Sequence, residues 1–375
     1  MAQRLPSSPP ILPGLNYVRP LGSGGFADVF LYQQDMPRRA VAVKVLPTDE
    51  RDPDLLRMFN AEADVLAHLS AHPAIVTVYQ AGISADGRPY IVMEYCPGSL
   101  AQRYRIERIP VQEVMTIAVR LSGALESAHR AGLIHRDIKP SNILVTTFGA
   151  AVLADFGISA SLLRHTPGEV LAMSIPWSAP EVIAEETAGT VASEVWSLGA
   201  TVYSLLAGHS PFERRERGQN TRDHLRRRIA RATFIPVPRP DMPDELQRVL
   251  ATAMARDPAH RYRTAREFGE AVRDVQRSLG LAPTPLEVPT DEWMPVSDEV
   301  DFADTRVRGP VRSTVPHETR RRRTTESGPP RGRDEDSAIS GEPLPTRRIW
   351  PWVASGAAVV VIAVAAAAAA ILGGL

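Results

Sequence analysis

The first part of the chain alternates between apolar and polar residues, which is the pattern of half-buried β-strands. Four runs show it: "YVRPLGSGGFADVFLY", "AVAVKVL", "IVTVYQAG" and "YIVMEY". Residues 54–70 have a helical period instead. Because alternate strand residues face opposite sides, Val41, Val43 and Val45 share one face and Lys44 lies on the other. This region therefore predicts a small sheet with one helix.

After residue 110 the period is mostly helical, with short strands between the helices. A stripe from Val114 to Ala128 predicts a helix that Gly132 can end. The runs "ILV" at 143–145 and "AVLA" at 151–154 predict an antiparallel hairpin. The whole pattern favours an α+β, bilobal fold, with a small β-rich N-lobe, a larger helical C-lobe and a cleft between them.

Composition sets the predicted domain limits. Residues 282–348 are rich in proline, arginine and acids and have few apolar residues, so we expect a disordered linker. Residues 1–14 have no apolar run long enough for a signal peptide and are expected to form a flexible tail. The folded domain is predicted at 15–281, with the N-lobe at 15–95 and the C-lobe at 98–281.

The carboxyl-terminal part is apolar. Residues 350–374 carry no charge, and a helix of about 20 residues can cross a bilayer. Arg347 and Arg348 precede the segment and favour a cytoplasmic side there. We expect a transmembrane helix in contact with lipid, so that the protein is a single-pass, C-terminally anchored protein of the cell membrane with its folded domain in the cytoplasm. An alanine-rich soluble helix is the alternative.

Charge and cysteine content exclude several classes of protein. Lys plus Arg and Asp plus Glu both number 43, so the charge balance gives no reason to expect a nucleic-acid partner. The single cysteine, Cys96, excludes an intrachain disulfide framework and a cysteine-rich zinc site. The single cysteine fits a protein in a reducing compartment.

Two sites for anionic and cationic ligands follow from the residues themselves. In "LGSGGFADVF", Gly22, Gly24 and Gly25 allow the backbone to approach a phosphate, although an ordinary hairpin would also explain them. Asn142 and Asp155 flank the open end of the predicted hairpin, where a carboxylate and an amide oxygen suit Mg²⁺. Each of these polar residues could alternatively be a local cap or turn former.

The two lysines are a separate indication. All 43 basic residues except Lys44 and Lys139 are arginine, so arginine serves wherever a generic positive charge suffices. Both lysines lie in candidate phosphate-handling motifs, where a compact ammonium fits better than a planar guanidinium. Glu62 falls on the apolar stripe of the helix at 54–70, and a carboxylate there needs a partner, so we predict a Lys44–Glu62 ion pair.

Together the motifs resemble those of the protein kinases, in family order over most of the chain. They are "GSGGFADV", "VAVK", Glu62, "HRDIKPSN", "DFG" at 155–157, "APE" at 179–181 and "EVWSLG" at 194–199. The lysine two places after Asp137 resembles the Ser/Thr-directed subclass. "HPAIV" and "DPAHRYRTAREF" are similar to bacterial membrane-anchored serine/threonine kinases.

The resemblance implies ATP and Mg²⁺ as cofactors, with Mn²⁺ as an alternative metal, and a role for each site residue. Asp137 would accept the proton of a substrate hydroxyl, and Lys139 would steady the transferring phosphoryl group. Asn142 and Asp155 would bind the metal ions. The nucleotide would be bound by residues from the phosphate loop, the third strand, its helix and the link between lobes: Leu21, Gly22, Ser23, Gly24, Gly25, Phe26, Ala27, Val29, Lys44, Glu62, Glu94 and Cys96.

The implied function is phosphorylation of protein serine and threonine hydroxyls in membrane-tethered signalling, including autophosphorylation within a homodimer. A buried Arg136 would be satisfied by a phosphate on the activation segment, at Thr166 in preference to Ser159 or Ser161. Glu181 would pair with Arg261 as a structural tie.

Four positions depart from the family pattern. Ala27 replaces a glycine of the phosphate loop, Glu194 replaces an aspartate, and Ser174 and Trp177 replace a threonine and a tyrosine before "APE". The longer Glu194 predicts displaced hydrogen bonds to the catalytic loop, and the other two question substrate docking. The alternatives are a pseudokinase scaffold that binds nucleotide and partners without turnover, and a small-molecule phosphotransferase of related fold.

Overall fold

The structure is a computed structural model, and it describes residues 5–23, 27–46, 63, 66–156, 174–214, 216 and 218–289. Its first lobe is a five-stranded antiparallel sheet in the order β1-β2-β3-β5-β4. The strands are β1 (Leu15–Ser23), β2 (Asp28–Gln34), β3 (Arg39–Val45), β4 (Val78–Ile83) and β5 (Pro89–Glu94). Each of the four strand-like runs forms the predicted strands.

The alternation in β3 has the predicted consequence. Val41, Val43 and Val45 pack into one buried cluster with Phe30, on one face of the sheet. Ala42 and Lys44 belong to the opposite face, which looks toward the second lobe. Of the predicted helix at 54–70, the described residues Ala63 and 66–69 are helical.

The second lobe is mainly helical in its described part. Its helices are α1 (Leu100–Ile106), α2 (Val111–Arg130), α3 (Pro180–Ile183), α4 (Val191–Ala207), α5 (Arg222–Arg231), α6 (Asp244–Ala253) and α7 (Ala265–Ser278). The long helix α2 covers the predicted stripe, and Gly132 follows its end with φ +76°. Helix α4 begins at a Thr190 capping box and ends at Gly208 with φ +79°. These two helices lie in the main core, where Trp196 is fully buried.

A small sheet lies on the side of the helical lobe that faces the five-stranded sheet. Strands β6 (Gly98–Ser99), β7 (Ile143–Val145) and β8 (Ala151–Leu153) form it in that order. The predicted hairpin is confirmed, since Ile143 pairs with Leu153 and Val145 with Ala151 in antiparallel register. The hairpin therefore brings the residues before β7 and after β8 to the same end.

Part of the tail predicted at 1–14 makes contacts with the sheet. Residues 5–14 lie against the five-stranded sheet, where Leu12 is buried and bridges Leu15. The Tyr32 hydroxyl donates to the carbonyl oxygen of Pro10 at 2.6 Å. The prediction rested on the absence of a long apolar run, but one buried leucine and a few polar contacts suffice to hold a short segment on an existing sheet.

The carboxyl-terminal limit of the ordered chain also differs from the predicted residue 281. Residues 282–289 pack on the helical lobe, and the His72 ring Nε2 lies 2.8 Å from the carbonyl oxygen of Glu287. Gly123 in α2 permits this approach, because a β-carbon there would lie 2.3 Å from the same oxygen. Proline-rich composition did not prevent packing, since Leu286 contributes to the core. The remainder of the predicted linker lies outside the described residues.

The helices in the described part of the chain include none with the length and apolar character that crossing a bilayer requires. The predicted transmembrane segment at 350–374 lies outside them.

Candidate active site

An apolar slot separates the two lobes. Ala42 and Met93 from the upper sheet cluster with Val152 and Ala154 from the lower hairpin. Four partly buried side chains pack against this cluster: Leu21, Val29, Cys96 and Leu144. A slot with apolar walls from two sheets can hold a flat heterocyclic ring.

Three of those four side chains were predicted as nucleotide contacts, and Leu144 was missed. In β7, Ile143 is fully buried in the main core, so its neighbour Leu144 must point to the opposite face. That alternation was the available signal. It identifies Leu144 as the lower wall of the slot.

The link between the lobes runs past Glu94 and Cys96. The Glu94 amide donates to the carbonyl oxygen of Thr77 at 2.8 Å, which fixes the end of β5. Burial, with a smaller effect of the Glu94 charge, raises the pKa of Cys96 to about 12. The thiol therefore stays protonated near neutral pH, in agreement with a packing role.

The glycine-rich hairpin joins β1 to β2. Leu21, Gly22 and Ser23 end β1, and Ala27 and Val29 lie at the start of the returning strand. Ala27 is buried and is not among the described residues with positive φ, so its β-carbon causes no backbone strain. The predicted contacts Gly24, Gly25 and Phe26 lie outside the described residues.

Lys44 reaches across the cleft to Asp155. Its Nζ lies 2.7 Å from Asp155 Oδ1, and its side chain is 10% exposed. The Lys44 charge, opposed by burial, holds the pKa of Asp155 below its ordinary value. Asp155 is therefore ionised at neutral pH. The predicted partner of Lys44, Glu62, lies outside the described residues, so the Lys44–Glu62 pair stays a prediction.

Asp137, Lys139 and Ser174 form a compact polar group. Lys139 Nζ lies 2.8 Å from Asp137 Oδ2 and donates to Ser174 Oγ at 3.0 Å. The Ser174 hydroxyl in turn donates to Asp137 Oδ1. Burial raises the pKa of Asp137, but Lys139 and the hydrogen bonds outweigh it, so the net pKa is low. Ser174 was treated as a departure affecting docking, and its contact with both predicted catalytic residues was missed.

Asn142 connects this group to the hairpin. Its side-chain amide donates to Asp137 Oδ2 at 2.9 Å and to the Asp137 carbonyl oxygen at 2.8 Å. The backbone carbonyl oxygen of Asn142 accepts from the backbone amide of Ala154 at 2.9 Å. This bond places Asn142 beside the residue that precedes Asp155. This is the arrangement expected from the open end of the β7–β8 hairpin.

The donor set at this end fits a hard cation. One carboxylate and one amide oxygen suit Mg²⁺ when substrate phosphates supply further oxygens. No cluster of three or more His, Cys, Asp or Glu side chains able to hold a metal alone occurs in the described part of the chain. The residues therefore fit a metal that arrives with a nucleotide.

His135 positions the residues on both sides of the site. The ring is fully buried, Nδ1 accepts from the Asp137 amide at 3.3 Å, and Nε2 lies 3.0 Å from the carbonyl oxygen of Ala154. Since Nδ1 accepts, Nε2 carries the proton. The ring also packs on Phe156 with centroids 4.6 Å apart. Sequence reasoning missed this role, because nothing local shows that residue 135 reaches residue 154.

The site backbone is held in an uncommon conformation at two positions. Arg136 has φ +67° and Asp155 has φ +60°, which non-glycine residues rarely adopt. The Arg136 amide donates to Glu194 Oε1 at 2.5 Å, and Glu194 Oε2 lies 2.7 Å from His129 Nε2. The hydrogen bond to the catalytic loop is therefore formed, and the prediction that the longer Glu194 displaces it is wrong. One carboxylate thus contacts both partners.

The Arg136 side chain is exposed, whereas the sequence interpretation expected it to be buried. Its backbone is fixed by Glu194, but its guanidinium remains accessible to an anion. The candidate modification sites Ser159, Ser161 and Thr166 lie outside the described residues.

Two ties beneath the site are fully formed. Arg261 donates to both carboxylate oxygens of Glu181, at 2.7 and 2.9 Å, and its guanidinium lies 4.9 Å from the Trp196 ring centroid. This confirms the predicted Glu181–Arg261 tie. Trp177 donates through its indole nitrogen to Ser204 Oγ at 3.0 Å, which fixes the ring that replaces the expected tyrosine.

Comparison with known proteins agrees with this geometry. Residues 15–271 match the family model described as protein kinase domain. The chain is 41% identical over 285 residues to the serine/threonine-protein kinase PknK of Mycobacterium bovis, covering 74% of this chain and 25% of that protein. It is 29% identical over 347 residues to the serine/threonine-protein kinase PrkC of Bacillus subtilis, covering 90% of this chain and 49% of that protein.

A solved structure shows the same fold. The crystal structure of the Mycobacterium tuberculosis PknI kinase domain, determined on a mutant form, superposes with a TM-score of 0.54 at 29% identity, covering 72% of this chain and 99% of that one. The present chain thus spans a quarter of the length of PknK and about half of PrkC.

Proposed function

The chain belongs to the protein kinase family, and on that premise we propose that it transfers the γ-phosphoryl group of ATP to serine and threonine hydroxyls of proteins. One observation carries the proposal. The carboxylate of Asp137, the ammonium of Lys139, the amide of Asn142 and the Lys44–Asp155 pair converge at one end of an apolar slot. An apolar slot that ends in this mixture of charges suits a nucleotide with its phosphates directed toward the polar end.

Asp137 is the group that would orient the attacking hydroxyl and accept its proton. Its low pKa keeps it ionised, and its side chain remains 35% exposed, so a substrate hydroxyl can reach it. Lys139 and Asn142 contact Oδ2 of the carboxylate, and Ser174 donates to Oδ1. A carboxylate already fixed before the substrate binds needs little reorganisation during transfer.

The two lysines would bind the phosphates. Lys44 lies on the upper sheet and Lys139 on the lower lobe, so phosphates between them would meet an ammonium from each side. Asn142 and Asp155 would hold Mg²⁺, or Mn²⁺ in its place, which supplies neutralisation of the phosphate charge when bound. The ionised carboxylate of Asp155 and the neutral side-chain amide of Asn142 provide the hard oxygen atoms that such a cation requires.

We further propose autophosphorylation, dimerisation and membrane anchoring. The enzyme phosphorylates its own activation segment, with Thr166 favoured over Ser159 and Ser161, and the exposed Arg136 supports this because a phosphate can pair with it. Autophosphorylation takes place within a homodimer. Residues 350–374 anchor the protein in the cell membrane, which places the catalytic domain in the cytoplasm.

The test combines nucleotide binding with phosphoryl transfer. Full-length protein is incubated with γ-labelled ATP and Mg²⁺, and label on protein serine and threonine is identified by phosphoamino-acid analysis. ATP affinity is measured in the same preparation with and without Mg²⁺. Asp155→Asn is the control that removes the charged metal ligand.

The outcomes separate the candidate functions. Label on protein hydroxyls that is lost in Asp155→Asn supports the kinase. Magnesium-dependent ATP binding without transfer under any tested condition identifies a pseudokinase scaffold. Transfer to small molecules only identifies a small-molecule phosphotransferase. Membrane attachment is tested separately, since a variant ending at residue 349 should leave the membrane fraction.

A further inference from the structure

The amino-terminal segment 5–14 contacts the nucleotide-binding hairpin as well as the back of the sheet. It is fixed at Pro10 by the Tyr32 hydroxyl and at Leu12 by burial. Upstream of both anchors, Ser7 reaches Asp28, the first residue of β2. Ser7 and Asp28 are 21 positions apart, so only the packing of the segment brings them together.

Asp28 is the point where three parts of the chain meet. It is 1% exposed and therefore needs hydrogen-bond donors. Ser7 donates to Oδ2 through its amide at 2.8 Å and its hydroxyl at 2.6 Å, and Ser23 donates through its hydroxyl to Oδ1 at 2.6 Å. Ser23 is the last residue of β1 and pairs with Asp28 across the hairpin. One carboxylate thus joins both ends of the glycine-rich hairpin to the amino-terminal segment.

Arg88, in the turn between β4 and β5, supports this arrangement. Its guanidinium is 2% exposed and donates through Nη1 to Ser7 Oγ at 3.1 Å. The Ser7 hydroxyl therefore accepts from a cation and donates to an anion. Such a hydroxyl is polarised in the direction that strengthens its bond to Asp28. The same guanidinium pairs with Asp86, so its charge is compensated.

We propose that Ser7 is a positioning residue for the nucleotide phosphates, acting through Asp28 on the stem of the glycine-rich hairpin. The inference rests on the proposed function to the extent that the hairpin binds ATP phosphates. Gly22 and Ser23 pair with Val29 and Asp28 in the described stem, and a stem fixed from outside presents its backbone in one orientation. Backbone fixed before binding loses less entropy when the phosphates bind. The Ser23–Asp28 contact closes the hairpin, and Ser7 ties that closed hairpin to the rest of the lobe.

The test uses the difference between a ligand with phosphates and one without. Full-length Ser7→Ala is compared with Ser8→Ala, which changes the adjacent, exposed serine. Affinities for Mg²⁺–ATP and for adenosine are measured by calorimetry. Ser7→Ala should weaken ATP binding about three- to tenfold, the usual effect of one lost hydrogen bond, and leave adenosine binding within twofold. The KM for ATP should rise by the same factor with kcat within twofold, and Ser8→Ala should match the wild type.

A second comparison shows whether Ser7 acts through Asp28. Ser23→Ala removes the other hydroxyl from the same carboxylate, so the effects of Ser7→Ala and Ser23→Ala on ATP affinity should be non-additive in a double-mutant cycle. Additive effects would contradict the shared route.

Other outcomes would reject the positioning role of Ser7 or the proposed function. Equal loss of ATP and adenosine affinity with a lower melting temperature shows a merely structural role and overturns the proposal. Ser7→Ala that binds like Ser8→Ala also overturns it. Wild-type protein that fails to bind ATP rejects the proposed function itself, whereas wild-type binding without a Ser7 effect rejects the positioning role alone.

Discussion

Charged side chains lie in different surroundings in the catalytic cleft and in the polar ties beneath it. In the cleft, the side chains of Asp137 and Asp155 are 35% and 47% exposed. Beneath it, those of Glu194 and Arg261 are 3% and 0% exposed. The cleft carboxylates keep accessible oxygen atoms for a substrate or cation, whereas the buried groups direct their hydrogen bonds to the protein. Exposure therefore separates the side chains that we propose to act on substrate or cation from the side chains that hold the backbone in place.

The largest expected effect is on catalysis at Asp137. Asp137→Asn keeps the shape of the side chain and removes the base, so kcat should fall by about 10² to 10⁴. The free energy of unfolding should change by less than about 1 kcal/mol, because the side chain is partly exposed and an amide can still accept from Lys139. Steady-state kinetics and thermal unfolding of the same protein check both statements. A large loss of stability would remove the contrast between the cleft and the ties.

At the buried tie of Arg261, substitution should mainly lower the free energy of unfolding. Arg261→Ala leaves the Glu181 carboxylate without its bidentate partner, and breaking a buried pair costs about 3–5 kcal/mol. Arg263→Ala is the matched control, since Arg263 also pairs with a glutamate but its side chain is 86% exposed. That change should cost about 1 kcal/mol or less. Denaturant unfolding of both variants measures the difference, and equal losses would contradict it.

Ser174 is neither a proposed reacting group nor a buried tie. Its hydroxyl contacts both Asp137 and Lys139 and can position them. Ser174→Ala should lower kcat about five- to tenfold, the value of one hydrogen bond, with little effect on KM for ATP. Ser174→Thr keeps the hydroxyl and should retain most of the activity. A threonine variant as impaired as the alanine variant would show that size, and not hydrogen bonding, matters at this position.

The smallest expected effect is the pH dependence of the Lys44–Asp155 pair. The pKa of Asp155 is lowered in the folded state, so the pair stabilises the protein above the unfolded carboxyl pKa of about 3.9, and this contribution is lost as pH falls through the folded value. Wild type should exceed Lys44→Met in stability by about 1 kcal/mol or less at pH 6, given the exposure of Asp155. The difference should shrink below about pH 4. A difference independent of pH in thermal unfolding would exclude this origin.

Much of the fold was predictable because its signals are local. Alternation placed Val41 and Lys44 on opposite faces of β3, and the hairpin at 143–154 brought Asn142 next to the residue before Asp155. Each inference needed only the repeat of a strand or the pairing of two neighbouring strands. The same reasoning applied to "ILV" would have found Leu144.

The errors arose where distant segments meet. Glu194 was expected to displace its hydrogen bonds, but the reach of a side chain depends on where α4 lies relative to residues 129 and 136. The contacts that residues 5–14 and 282–289 make with the folded part were not predicted, for a similar reason. Residues 5–14 and 282–289 have little periodicity of their own and are ordered by surfaces that the rest of the chain provides.

The sequence by itself determined the two-lobed fold, its strands and main helices, and the chemical identity of the polar groups. Residue type and short-range spacing carry that information directly. Only the tertiary structure decided that Ser174 bridges Asp137 and Lys139, that His135 links both sides of the site, and that Ser7 reaches Asp28. Those contacts depend on how separately formed elements pack, and side chains far apart in sequence come within hydrogen-bonding distance only after that packing is complete.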